Sequence, residues 1–431
     1  MTSEVKERIA QIQRGEVPEG YKKGKLGIVP LEWKDTPFST LFASTSDYTD
    51  DLEHYPLYSL TIENGITAKT VRYERSHLVK KENSYKIVRP NDYAYNPMNI
   101  RFGAVARHKG SIPVAVSGYY DIFTTVNDSD LAFMDSFLTC GPMITYYNKV
   151  STGSLIEKQR VHFSQFIEFS LPFPSAEERQ KIAELLTTQD KVIELKEKLI
   201  AEKQRQKKYL MQQLLTGKMR LPGFSGEWHT RKFSDIFSFL PTNTLSRADM
   251  CDDTGLVMNV HYGDVLIKYA EVLRVKQNKI PYIVEGKEPA KCVYLQNGDI
   301  VIADTAEDMT VGKATEVQGI TCEKIVSGLH TMCVRPKNSV FAPEWLGFYI
   351  NSTEFHGQLM RLACGSKVSS ISKNTIKDTI LNVPTITEQT AIADILSTAD
   401  REIELLQQEL EQEKQKKKAL MQLLLTGIVR V

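Results

Sequence analysis

Several things are missing from this chain of 431 residues, and each absence narrows its class. No apolar run approaches the roughly 20 residues needed to span a bilayer. The opening stretch MTSEVKERIAQIQRGEV carries charge but no apolar signal core, so the expectation is a soluble, unexported, cytoplasmic chain with no membrane partner. The six cysteines (140, 251, 292, 322, 333 and 364) form no CxxC pair, which disfavours a zinc knuckle or a disulfide framework and suits a reducing compartment. Net charge is +1 with 25% charged residues, so any contact with a polyanion must come from local patches. No glycine-rich loop follows a strand, and GKAT at Gly312 lacks the upstream glycine of a phosphate-binding loop, so no cofactor is expected.

What the chain does have is duplication. Residues 171–221 recur without a gap as residues 381–431, with 21 of the 51 paired positions identical. Self-similarity at a fixed offset signals tandem architecture. The kernel LMQQLLTGKMR (210–220) matches LMQLLLTGIVR (420–430). A weaker pair, residues 26–42 and 221–237, shares Trp33/Trp228, Phe38/Phe233 and Phe42/Phe237. The chain therefore reads as two halves, each an entry motif, a long variable stretch and a polar helix. Its length suits two to three domains, and a hydrophobic fraction of 42% can give each a core.

The duplicated segments have helix-end signals. Ser175 and Glu178 after Pro174, and Thr385 and Glu388 after Pro384, have capping-box spacing: hydroxyl on the N3 amide, carboxylate returned to the N-cap amide. Gly217 and Gly427 close the other ends, where a residue without Cβ can turn left-handed. About 42 residues lie between these marks, or roughly 60 Å of helix. Leu186, Ile193, Ile200, Lys207 and Leu214 repeat every seven residues in the first copy, with Leu185, Val192 and Leu199 alongside. In the second, Leu396, Ile403, Leu410, Lys417 and Leu424 do so, with Ile392, Ala399, Leu406, Glu413 and Leu420 between them. A stripe that wide needs a partner helix, and the other copy is the simplest one. Leu186, Ile193, Ile200, Leu210, Leu214, Leu396, Ile403, Leu410, Leu420 and Leu424 are the expected interface of an antiparallel coiled coil. The polar interruptions Lys203, Lys207, Glu413 and Lys417 argue against deep burial. The lysine-rich runs at 203–208 and 414–418 read as cations near a helix C-terminus rather than a phosphate track.

Between the helices lie two stretches of about 150 residues that do not resemble each other, and each reads as an α/β globule with a curved sheet. Residues 341–361 have helical periodicity.

At this point the chain resembles a family. The helix start P-x-x-x-E-x-x-x-I (Pro174, Glu178, Ile182; Pro384, Glu388, Ile392), the ending LMQxLLTG-x-x-R, the entry P-x-x-W at Trp33 and LPGFSGEW ending at Trp228 are similar to the specificity subunit of Type I restriction-modification systems. Arg179 departs from the usual Glu-Gln of the helix start. The resemblance implies an α+β, pseudo-twofold tandem repeat. Its order is an N-terminal arm (1–25), target recognition domain 1 (26–174), conserved helix 1 (175–220), target recognition domain 2 (221–384) and conserved helix 2 (385–431). It further implies a non-catalytic chain whose two domains each read one half of a split site in double-stranded DNA. The helices would fix the gap and dock two methyltransferase (modification) subunits, with motor-nuclease (restriction) subunits as further partners. A related two-subunit restriction-modification system is the alternative.

Residues for DNA contact are sought where basic side chains meet loop signals. In the first domain these are Arg72, Arg75, Lys80 and Lys81, and then Arg101, Arg107, His108 and Lys109, where glycines at 103 and 110 could let a loop approach a phosphate while Arg107 reaches a base. In the second they are Lys313, Lys367 and Lys373. A catalytic reading exists beside this one. Asp264, Glu285 and Lys287 have the spacing of a Mg²⁺-dependent D…ExK nuclease site, a loose pattern that chains this long carry by accident. Asn96-Pro97-Met98-Asn99 is similar to the N-P-P-Y of amino-methyltransferases but lacks the second proline and the aromatic.

Overall fold

The computed structural model describes residues 3–69, 84–155, 158–338, 341–365 and 368–431. The chain forms two compact units: Met1–Glu197 with Glu409–Val431, and Lys198–Gln408. The division falls inside two long helices, Ala176–Leu214 and Ile386–Leu424, each of 39 residues. Each unit thus holds part of both.

In the first unit, the strand Lys34–Pro37 pairs antiparallel with Ser170–Phe173, which brings together the two ends of the intervening stretch. Inside it, an antiparallel sheet runs in the order Val105–Arg107, Tyr93–Tyr95, Asp121–Thr125, Phe42–Thr45. Phenylalanines spaced along the sequence converge here. Phe38, Phe42, Phe123 and Phe166 are fully or almost fully buried, with neighbouring ring centroids 5.0–5.9 Å apart. The first turns of the long helix add Ile182, Ala183 and Leu186 to the same core, and the end of the second adds Leu424 and Leu425.

The second unit repeats the clamp with His229–Lys232 against Ile380–Val383. Its five-stranded sheet runs Phe237–Leu240, Thr331–Pro336, Ile300–Ala303, Ala314–Gln318, Val272–Arg274. All neighbours in it are antiparallel except the last pair. Strands of two to six residues turn back through short connections, so the architecture is mixed helix and strand with chiefly antiparallel pairing. The helical periodicity at 341–361 resolves into two helices, Trp345–Ile350 and Thr353–Leu362. The break has a cause: the Asn351 side chain hydrogen-bonds the backbone of Ala314, and Ser352 Oγ accepts from the Phe355 amide at 3.3 Å to cap the second helix.

The long helices begin as their caps require, but the carboxylates are used differently from the expectation. Ser175 Oγ accepts from the Glu178 amide at 3.2 Å, and Thr385 Oγ1 from the Glu388 amide at 3.4 Å. The Glu178 carboxylate does not turn back to the N-cap. It accepts from Trp33 Nε1 at 3.1 Å and from Arg430 Nε and Nη2 at 2.5 and 3.0 Å. Glu388 likewise accepts from Trp228 Nε1 at 3.2 Å and from Arg220 at 2.7 and 2.8 Å. A forked guanidinium and an indole offer a buried carboxylate stronger, charge-assisted partners than a peptide N–H. Next in sequence, Arg179 donates to the Pro174 carbonyl and forks onto Asp130 at 2.7 and 3.0 Å. Gln389 donates to the Pro384 carbonyl and accepts from Ala342.

Gly217 (φ 70°) and Gly427 (φ 68°) both take the left-handed conformation that ends the helices. Within each unit the helix segments pair in opposite directions. In the first, Asp190 meets Lys417 at 2.5 Å and Lys196 meets Glu409 at 2.6 Å. In the second, Lys203 meets Glu402 at 2.6 Å and Lys207 meets Asp400 at 2.5 Å. Of the heptad positions, Leu186, Ile200, Leu214, Leu396, Ile403 and Leu424 are buried, while Ile193, Leu210, Leu410 and Leu420 are half-buried. Leu185 and Leu199 are exposed, so the covered stripe is narrower than its sequence suggests. Two expectations for the lysines need correction. Lys207 is deeply covered, because Glu271 at 2.7 Å and Asp400 together outweigh the penalty of burial and raise its pKa. The lysine runs also serve ion pairs between helices, Lys414 to Glu197 at 2.7 Å among them, rather than only the helix dipole.

Candidate nucleic-acid interface

Three of the basic residues singled out in the sequence come together in the first unit. Arg107 ends the edge strand Val105–Arg107, and the chain then turns through His108, Lys109, Gly110 and Ser111 to Ile112. Opposite stands the hairpin formed by Tyr58–Thr61 and Gly65–Ala68. Between hairpin, loop and the helix Leu131–Phe137 lies a concavity of about 570 Å³, with Tyr93 and Asp135 in its wall.

The three basic residues are not equivalent. Arg107 is committed: its guanidinium forks onto Asp135 at 3.0 and 2.8 Å and gives its remaining amino group to Asn91 at 2.7 Å. Hydrogen bonding to Asp135 raises the Arg107 pKa. Burial alone would push the Asp135 carboxyl up, but the hydrogen bonds and charges of Arg107 and Lys109 hold it below its ordinary value. Arg107 therefore builds the wall of the groove, with its guanidinium engaged by Asp135 and Asn91 rather than projecting from the loop. His108 is buried, with Nε2 2.7 Å from the Ile112 carbonyl oxygen, so it shapes the loop from inside. Lys109 is the exposed charge at the rim: its side chain keeps 68% exposure although it lies 3.1 Å from Asp135.

The other candidates are dispersed. Arg101 is buried and donates to Gln159 at 2.7 Å, away from the groove. In the second unit the half-buried Lys313 gives its ammonium to the Leu266 carbonyl at 2.9 Å, and burial lowers its pKa. That carbonyl gives the ammonium a partner within the fold. Lys373 is exposed at the start of a short helix, 5.6 Å from the Phe239 ring centroid. Arg72, Arg75, Lys80, Lys81 and Lys367 lie outside the described residues. Reasoning from basic residues missed Asp135 and the hairpin. The hairpin had a signal in Asn64-Gly65, and the structure makes the connection with three residues, 62–64, followed by the left-handed Gly65.

The residues of the nuclease reading have other partners. Asp264 is buried between Arg247 at 2.6 Å and Lys268 at 2.9 Å, and Lys287 pairs with Asp249 at 2.5 Å. Among the described residues no cluster of three or more His, Cys, Asp or Glu could hold a metal ion. Asn96 uses its side chain to accept from the Met98 and Asn99 amides, a turn-forming role. No helix among the described residues is long and apolar enough to cross a membrane.

Known proteins resemble this chain in sequence and in fold. Residues 225–415 match the family described as Type I restriction modification DNA specificity domain. The MjaVIII specificity subunit of a Type I restriction enzyme from Methanocaldococcus jannaschii is 25% identical over 284 residues, a match spanning 62% of this chain and 63% of that protein. Two solved structures share the fold at 13% identity. One chain, from work on complex assembly and conformational transition of the type I R-M system, gives a TM-score of 0.57 over 93% of this chain and 99% of its own. The other, an S subunit of a Type I restriction-modification system from M. genitalium, gives 0.51 over 91% and 96%. Residues 225–415 thus match a Type I restriction modification DNA specificity domain, and the chain is similar to a Type I restriction enzyme specificity subunit over 62% of its length.

Proposed function

We propose that this chain is the sequence-specific DNA-binding subunit of a Type I restriction-modification complex, with no catalysis of its own. Each of two target recognition domains, 26–174 and 221–384, reads one half of a bipartite double-stranded site. The helices of 175–220 and 385–431 act as an antiparallel coiled coil that sets the spacing and docks two methyltransferase subunits. The observation that carries this reading is a closing arrangement of Trp, Glu and Arg that recurs at the start of both long helices, while the stretches it closes differ in sheet order and core. One frame holding two unlike inserts suits a reader whose halves have separate specificities. A site longer than one domain's reach needs two readers at fixed separation, and roughly 60 Å of helix spans about 18 base pairs. A groove of about 860 Å³ in the first unit, lined by Ile12, Leu26, Ile144, Met421 and Lys418 among others, supplies apolar surface for a subunit to cover.

Methylation mapping tests the proposal. Cells carrying this chain with its methyltransferase should show methylated adenines in a split motif, and exchanging residues 26–174 for those of a relative should change one half alone. A continuous motif, or loss of both halves in a folded, assembled chimera, would contradict it.

A further inference from the structure

The concavity of the first unit is edged by two projections whose chemistry no ion pair consumes. At the hairpin tip, Ile62 is 50% exposed, and the Asn64 side-chain amide bonds none of the described residues. On the opposite rim Ile112 is 55% exposed. Both projections are held rigidly. Thr61 Oγ1 accepts from the Asn64 amide at 3.1 Å and donates to the Gly65 carbonyl at 3.3 Å, locking the turn. Gly65 sits at φ 64°, where a Cβ would come 3.2 Å from that of Ala106, so the hairpin lies tightly on the neighbouring strand. Across the groove, a Cβ on Gly110 would lie 2.7 Å from the buried His108 ring, whose Nε2 is bonded to the Ile112 carbonyl. The loop therefore wraps an imidazole and presents Ile112 outward. Ile62 and Ile112 line the same concavity from opposite sides, and a two-stranded ribbon with such a tip fits a DNA major groove about 12 Å wide.

We propose that Ile62, Asn64 and Ile112 form the base-reading edge of the first recognition domain and that it reads A·T pairs. The Asn64 amide pairs with the adenine N6/N7 edge, and the isoleucines pack against thymine methyl groups. Lys109 meets a neighbouring phosphate. The assignment rests on the DNA-recognition reading above. It replaces Arg107, which Asp135 holds, with residues whose side chains hydrogen-bond none of the described residues. Little ordering remains to be done on binding, which favours discrimination over mere attraction.

The test uses the full chain assembled with its methyltransferase subunits and genome-wide methylation mapping. Asn64→Ala should relax one A·T position in one half of the motif, with discrimination there falling roughly 10- to 100-fold. Asn64→Gln, which keeps the amide, should retain part of it, and Ile112→Ala should weaken a thymine preference in the same half. Lys109→Ala should leave the motif intact, lower occupancy at all sites and reduce the salt dependence of binding by about one counterion. An unaltered motif in Asn64→Ala, relaxation in the other half, or failure of both Asn64 variants to assemble would overturn the assignment. A natural complex with no two-part motif would instead overturn the proposed function, before any variant is examined.

Discussion

At the start of the first long helix Glu178 is bound by Trp33 and Arg430; at the start of the second, Glu388 is bound by Trp228 and Arg220. The two constellations use the same residue types, yet their surroundings differ. Around Arg430, Glu32 adds a second carboxylate at 2.9 Å, Tyr21 donates to the Gly427 carbonyl at 2.8 Å and Arg8 to the Ile428 carbonyl at 2.7 Å. Around Arg220 the guanidinium lies 5.6 Å from the Trp228 ring centroid, and the chain simply continues into the next strand. Tyr21 and Arg8 thus fasten the residues after the second long helix to the first unit. The chemistry of closure is repeated, and the contacts around it are not.

The largest expected effect probes the shared part. Glu178→Ala leaves an indole N–H buried and Arg430 short of a partner, which should cost about 3 kcal/mol in denaturant unfolding. Glu388→Ala should cost a similar amount, and a silent Glu388→Ala would end the equivalence of the two sites. The difference is sharpened by the two helix-ending glycines. Alanine at Gly427 would place Cβ 2.5 Å from Pro30 Cγ and 2.9 Å from the Trp33 ring, in addition to its left-handed strain. Alanine at Gly217 meets nothing closer than the Trp228 ring at 3.6 Å. Gly427→Ala should therefore cost about 3 kcal/mol and Gly217→Ala about 1 kcal/mol. Equal melting shifts would contradict the claim that the first site is packed more tightly. The smallest effect is a pH dependence confined to the first unit. Because the folded-state pKa of Asp135 is depressed, its stabilisation is complete above the ordinary carboxylate range near 4 and is lost as pH falls through the lower folded value. Asp135→Asn should remove about 1 kcal/mol at neutral pH and little at pH 2, read as converging stability curves.

How much of this was legible in sequence follows from the range of each interaction. Helix ends at Ser175, Thr385, Gly217 and Gly427 could be read because caps are local. The heptad leucines and isoleucines could be read because a narrow stripe has a period. The destination of the Glu178 carboxylate could not, since its arginine lies 252 residues away. The same holds for Arg107: a guanidinium in a glycine-flanked loop looks free until the fold brings Asp135, 28 residues on, within 2.8 Å. Basic residues were sought because phosphates are anionic, and that search passes over a hairpin tip such as Ile62–Asn64, whose one charge is the carboxylate of Glu63. Residues 341–361 carry a continuous helical period, but the turn at Asn351 is imposed by Ala314 on another strand.

The central claim is that the long helices hold two readers at a set distance. Inserting seven residues within 193–210 and seven within 403–420 lengthens both helices by about 10 Å, roughly three base pairs, and preserves their heptad phase. If the helices set the separation, methylation mapping of the extended protein in its assembled complex should return the same two half-sites with a longer gap. Occupancy should be reduced, because the half-sites rotate by about 100° relative to one another. An unchanged gap in an active complex would contradict the account and assign the spacing to the domains or to the methyltransferase subunits.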